Sequence, residues 1–359
     1  MLTGLAYHSL LGGMGANRIV EVLIRTGGFS KTVARRRMYE TTQHILQCTM
    51  SLDSIKIGGA GHKSSVKVRL LHAAVRKRIL KLHAENPGYY DLQRDGIPIN
   101  DLDSIVTILS FSASLVWVSL PRQGLFLRNQ EYMLSIKRRP PKLTDVSGLR
   151  IVDYIALWRL VAHYVGCPTE ALSSPELAKA YAESFLLTEI NPTPSSQVLS
   201  QNIISSLAGH PPSYPSSDYL VATARWLNGE DLADALGLPI PSLKARALVF
   251  AQCVFVCWFC YVYRSIPYLD RKKVTGLRRV FYRLIVEGKT GLGGEAGFEF
   301  QYVPQVDTKT EAGKVDMREK WDQGVERRNM KVLVVIAGVA GVVVIVGFWM
   351  FVMLLRMMY

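Results

Sequence analysis

The sequence predicts a helical protein that ends in a single membrane span, and two observations carry this. Apolar residues recur at helical spacing in segment after segment. The clearest stripe lies in Ser64–Leu82 (SSVKVRLLHAAVRKRILKL), where Val68, Leu71, Val75, Ile79 and Leu82 share one face. Near the C-terminus, residues 332–355 carry no charged side chain over 24 positions, long enough to cross a bilayer with some tilt.

Composition narrows the classes. The 359 residues allow one large domain or two small ones, and 49% of them are apolar. The net charge of +14 is scattered among helices rather than gathered in one tract. No zinc-finger spacing or RNA-binding motif accompanies it, so nucleic acid is not an expected partner. A basic face toward anionic lipid accounts for it as well. The five cysteines do not form a secreted disulfide framework. Cys253, Cys257 and Cys260 match an iron–sulfur spacing, but that pattern needs a loop. Here LVFAQCVFVCWFCYVY reads as continuous helix, in which cysteines act as small apolar side chains. Met1–Leu11 lacks the basic region and cleavage site of a signal peptide.

In chain order, Asn17–Ile24 is a short helix closed by Gly27 and Gly28. Glu21, inside IVEVLI, is either on its polar side or buried with a raised pKa. This helix begins almost at Met1, so an upstream pocket wall is expected to be missing or differently built. Ser30 is the expected cap of a helix from Lys31 to about Met50, on which Arg37, Thr41, His44 and Cys48 share a face with Glu40 beside them. That face suits either solvent or a polar pocket. Ser51–Lys63 is a Gly-rich loop whose GGAGHK lacks phosphate-loop spacing.

Ser64 or Ser65 then caps the striped helix. His72 sits within the stripe, with Arg69 and Arg76 at i−3 and i+4. An imidazole on an apolar face between two guanidinium groups suits haem: the ring nitrogen meets iron and the arginines meet the propionates. The same residues fit a core histidine bonded to a backbone carbonyl, with two solvated arginines.

Asn100–Leu120 is a helix capped by Asp101 or Asp103, buried rather than membrane-spanning. KRRPPK (Lys137–Lys142) is a basic linker. Leu149–Val165 is a helix stopped by Gly166 and Pro168, with His163 either a second candidate ligand or a helix-end histidine. Residues 170–235 read as helices with loops at Asn191–Pro194 and Gly209–Pro215. The apolar helix Leu243–Tyr263, which contains Gln252, is expected to be buried in the domain or in shallow contact with a membrane. A Gly-rich loop, Gly288–Gly297, and a polar juxtamembrane stretch, Lys309–Met330, follow. Arg327, Arg328 and Lys331 precede the terminal span and only Arg356 follows it, which orients the folded part toward the cytosol. The expected organisation is a helical domain over 1–300, a linker over 301–331 and a tail anchor over 332–355.

Three strings resemble a known family: VRLLHAAVR (Val68–Arg76), RRMYET (Arg36–Thr41) and DYIALWRLVAHYVG (Asp153–Gly166). They are similar to the catalytic domain shared by rubber oxygenases and fungal endoplasmic-reticulum-bound oxygenases of the mycophenolic-acid-pathway type, over roughly residues 15–265. The resemblance implies an all-α, globin-like core holding haem b. It implies His72 as the proximal iron ligand, Arg37 and Thr41 on the distal side, and dioxygen as co-substrate. Glu21, sixteen residues before Arg37, occupies the position of the family's catalytic carboxylate. Rubber oxygenase carries a lysine where this chain has Glu40, so a lysine-capped iron is not expected. The implied reaction is oxidative cleavage of a C=C bond in an isoprenoid or prenylated lipophilic substrate, at the endoplasmic reticulum membrane and in fungal-type secondary metabolism. The alternatives are a haem hydroxylase, peroxidase or dehydratase, or a non-enzymatic tail-anchored adaptor.

Overall fold

The computed structural model describes residues 4–126, 151–211 and 213–298. The KRRPPK linker, the segment over 301–331 and the apolar run over 332–355 lie outside the described residues. The described residues are helical, with no strand among them. The chain is all-α.

After a π-helical stretch over Leu5–Leu11 and a 3-10 turn over Gly12–Gly15 comes α1, Asn17–Arg25. Helices α2 (Ala34–Thr49) and α3 (Ala60–Glu85) follow as an antiparallel pair, with Cys48 against Gly61 and His44 against Ser64. Both starts differ from expectation. Ser30 turns its hydroxyl to Thr32, 3.3 Å away, and α2 begins at Ala34 with no side-chain cap. Helix α3 begins at Ala60 rather than Ser64. Ser64 and Ser65 lie inside it, buried, each donating to the Gly61 carbonyl at 3.1 and 2.7 Å. Small residues suit these positions because α2 presses directly on them.

Helix α4, Asp101–Phe111, is capped by Asn100, whose Oδ1 accepts from the Asp103 N–H at 2.9 Å. Neither Asp101 nor Asp103 is the cap, which leaves the Asp103 side chain for other contacts. Asp101–Arg122 has the length and composition to cross a membrane, yet half of it is buried in the domain, and non-helical Ser112 interrupts it. Helices α5 (Ile151–Val165) and α6 (Pro175–Thr188) pack on it. Trp158, 1% exposed, stacks on Phe111 with centroids 5.8 Å apart, and the Tyr154 hydroxyl donates to the Phe111 carbonyl at 2.8 Å. Gly166, at φ +79°, ends α5 in the left-handed region that favours glycine.

Helices α7 (Pro194–Leu207) and α8 (Ser217–Asn228) build a second apolar cluster with α1 and the N-terminal turns. The first cluster joins α4, α5 and α6 to the C-terminal part of α2. Helix α9, Leu243–Ser265, lays only one face on α8, and α10, Pro267–Tyr282, follows it. Only 11% of the apolar stretch of α9 is buried, which overturns the expectation of burial within the domain.

Candidate functional site

Beyond their crossing, α2 and α3 border a cavity of about 370 Å³ where the two apolar clusters meet. That volume falls in the range of about 300–1,000 Å³ usual for small-molecule sites. From α2 come Arg37, Glu40, Thr41, His44 and Ile45; from α3 come Val68, Leu71, His72 and Val75. Helix α4 supplies a wall from Asp103 to Phe111, and Trp158, Phe185, Leu186 and Phe298 add apolar surface. The polar face of α2 therefore lines a pocket, an alternative that spacing alone left open.

His72 makes no hydrogen bond to another described residue. Burial, with a smaller contribution from the Arg76 charge, pushes its imidazole down to about 4. It is thus neutral at physiological pH, the form that ligates metals. His44 borders the same cavity and is likewise held near 4, by burial first and then by the nearness of His72. Its Nδ1 lies 2.9 Å from the Ser64 hydroxyl. Cys48, one turn on, is buried beneath it, and burial raises its thiol to about 11. Arg37 donates to Glu40 at 3.0 Å, and Glu40 also accepts from Arg36 at 3.2 Å. The Thr41 hydroxyl donates to the Arg37 carbonyl at 3.0 Å.

Other sequence-derived candidates lie elsewhere. Arg69 and Arg76 flank His72 along α3 but do not line the cavity. Arg76 donates to the carbonyls of Pro98, at 3.0 Å, and Ile99, while Arg69 passes over Gly166. Glu21 is also outside the lining. Arg25 donates to it at 2.6 Å, and Arg94 approaches within 3.7 Å. His163 is exposed.

Asp103 is a cavity carboxylate for which the sequence suggested only a capping role. It is 5% exposed; Oδ1 accepts from Arg18 Nε at 3.1 Å, while buried Oδ2 has no partner among the described residues. Burial raises its pKa, against the opposing hydrogen bond and charge of Arg18. Asp103 also lines a second, polar pocket of about 240 Å³, with Asn17, Arg18, Arg94 and Glu189. It is shared by the two walls.

The residues around His72 suit a planar, largely apolar iron cofactor. An unpartnered neutral imidazole faces an apolar chamber, with a guanidinium and a hydroxyl also on its wall. Among the described residues no cluster of His, Cys, Asp and Glu could hold a bare metal ion.

The family model of the ER-bound oxygenase mpaB/B′/rubber oxygenase catalytic domain matches residues 2–258. The chain belongs to this family. As a member of the mpaB/rubber oxygenase family it is an oxygenase, hence an enzyme. A solved structure of latex clearing protein LCP in the closed state is similar, with a TM-score of 0.51 and 20% identity, covering 76% of this chain and 69% of that one. At that identity the likeness is one of fold. No curated protein matches the chain.

Proposed function

We propose that this mpaB/rubber oxygenase family member is a haem-dependent oxygenase, held at the endoplasmic reticulum membrane, that cleaves a C=C bond of an isoprenoid or prenylated substrate. The reading rests foremost on the unpartnered neutral His72 imidazole at the wall of the apolar chamber. His72 offers its ring nitrogen as the protein ligand to iron. Bound haem supplies the dioxygen chemistry, which side chains alone do not provide.

The chain's own residues orient and balance that chemistry. Val68, Leu71, Val75, Phe111 and Phe185 give the substrate a hydrocarbon surface and exclude water. Arg37 carries positive charge where negative charge develops, and Glu40 offsets part of it, so the guanidinium is fixed in direction. The Thr41 hydroxyl stands one turn along the same helix. Asp103 accepts a proton at Oδ2 and passes it toward the polar pocket. This work falls to Asp103 rather than Glu21, whose carboxylate is neutralised by Arg25 outside the chamber.

Residues 332–355 provide a single-pass tail anchor, and the basic residues before them place the catalytic domain in the cytosol.

The test is spectroscopic and then chemical. Purified protein supplied with hemin is expected to show a Soret band that His72→Ala abolishes together with turnover. Under labelled dioxygen, cleavage puts label into new carbonyl groups. Label in a hydroxyl group would establish hydroxylation instead, and a colourless protein would overturn the haem reading.

A further inference from the structure

Helix α9 leaves a run of apolar side chains uncovered, and its geometry states what they are for. Every fourth residue grips the domain. Ala245 and Val249 are buried against Ala222, and Cys253 packs on the same cluster. Cys257 donates to the Gln123 carbonyl at 2.9 Å. The Tyr261 hydroxyl lies 3.2 Å from the Phe126 N–H and 3.4 Å from the Gly124 carbonyl. At the N-terminal end, the Ser242 hydroxyl donates to Asp218 at 2.5 Å. A helix held along its whole length by one domain lies flat and does not cross a bilayer.

The opposite face is apolar and uncovered. Ala247, Phe250, Ala251, Val254, Phe255 and Val262 are exposed, Phe250 by 57% and Val254 by 52%. No charged residue occurs from Ala247 to Tyr263. A patch of this kind on a soluble surface marks an interaction site. Its surroundings select the partner. Residues 243–287 contain nine Lys or Arg against two Asp or Glu. On α10, exposed Lys272 and Arg279 alternate with exposed Tyr268, Val274, Leu277 and Val280. A second copy of so basic a surface would bring like charges together, whereas an anionic leaflet complements it.

We propose that the outward face of α9 is a membrane-contact surface, lying in the interfacial plane of an anionic leaflet with its aromatic and aliphatic side chains among the acyl chains. The inference rests on the proposed tail anchor only for bringing α9 within reach of lipid. It is independent of haem and of the reaction.

The experiment uses the full chain reconstituted in nanodiscs of phosphatidylcholine, with or without phosphatidylserine, each doped with a phosphatidylcholine bearing an acyl-chain diazirine. After irradiation, labelled residues are mapped by mass spectrometry. Labelling of residues 250–262 is expected in the anionic discs, about tenfold above the neutral ones. In a Phe250→Glu, Val254→Glu double variant it falls about tenfold, while the thermal unfolding midpoint and the labelling of 332–355 are retained. Labelling confined to 332–355 overturns the proposal and leaves the tail anchor standing. Labelling of neither segment overturns both. Equal labelling in neutral and anionic discs, or cross-links between two copies through α9 in place of lipid adducts, also overturns it.

Discussion

Gly61 stands so close to Cys48 that a Cβ built on it would lie 2.9 Å from the Cys48 Cα and 2.8 Å from the Gln47 carbonyl oxygen. This crossing fixes how far apart α2 and α3 stand, and so how Arg37 and Thr41 face His72. Gly61→Ala must push the backbones apart, at a cost of about 1–3 kcal/mol. Thermal unfolding is expected to show the loss, with weaker haem retention alongside. Gly276 in α10 is the control: nothing lies within 4 Å of its added Cβ. Gly276→Ala is expected to gain about 0.5–1 kcal/mol from helix propensity and reduced freedom of the unfolded chain.

Asp103 and Glu21 are separated by one pair of substitutions. Asp103→Asn keeps the shape but removes the proton acceptor, and kcat is expected to fall about 10²-fold or more with the Soret band intact. Glu21→Gln loosens a helix ion pair and is expected to change kcat by less than about threefold. Steady-state turnover of the two variants decides between them; a larger loss in Glu21→Gln would return the proton-handling role to that residue.

His8 gives the fold an acid limit. It is 8% exposed, and burial holds its imidazole near 4, with Arg122 adding to the shift and a hydrogen bond to Asn228 opposing it. Its folded pKa lies below the unfolded value of about 6.5, so the unfolded chain binds the extra proton between the two. Stability from this residue is complete above about pH 6.5 and declines as pH falls toward 4. His8→Gln is expected to flatten the slope of stability against pH across that window by about 1.4 kcal/mol per pH unit. Urea unfolding at several pH values measures it.

Arg225 anchors the end of α8. It is 4% exposed and donates to the Pro239 carbonyl at 2.8 Å, to the Leu238 carbonyl, and to Glu230 and Asp234. Arg225→Met strands the buried Leu238 carbonyl oxygen and is expected to cost about 2 kcal/mol. The two carboxylates remain half-exposed and lose little, so Glu230→Gln alone is expected to stay within about 0.5 kcal/mol.

What the sequence made legible was periodic. The α3 stripe, the shared face of Arg37, Thr41 and His44, and the Gly166 stop follow from spacing of 3.6 and from glycine's backbone freedom. Helix starts were read less well, because Ser30, Ser64 and Ser65 have the composition of caps but spend their hydroxyls elsewhere. The arginines beside His72 illustrate a related limit. Adjacency along a helix does not fix where a long side chain ends, and Arg76 ends on the carbonyls before α4. Asp103 reads in the sequence only as a cap, because a carboxylate in a first helical turn looks like an N-terminal charge. Only the packing of α4 shows that it faces inward.

The position of Asp103 in two walls at once gives the proposed reaction two separate approaches to one carboxylate. On the proposed function, protons would exchange through the polar pocket that holds Arg18 and Arg94, and the hydrocarbon substrate would take the chamber on the other side of the same carboxylate. A catalyst of that kind would reset its acid–base state without admitting water to its apolar side.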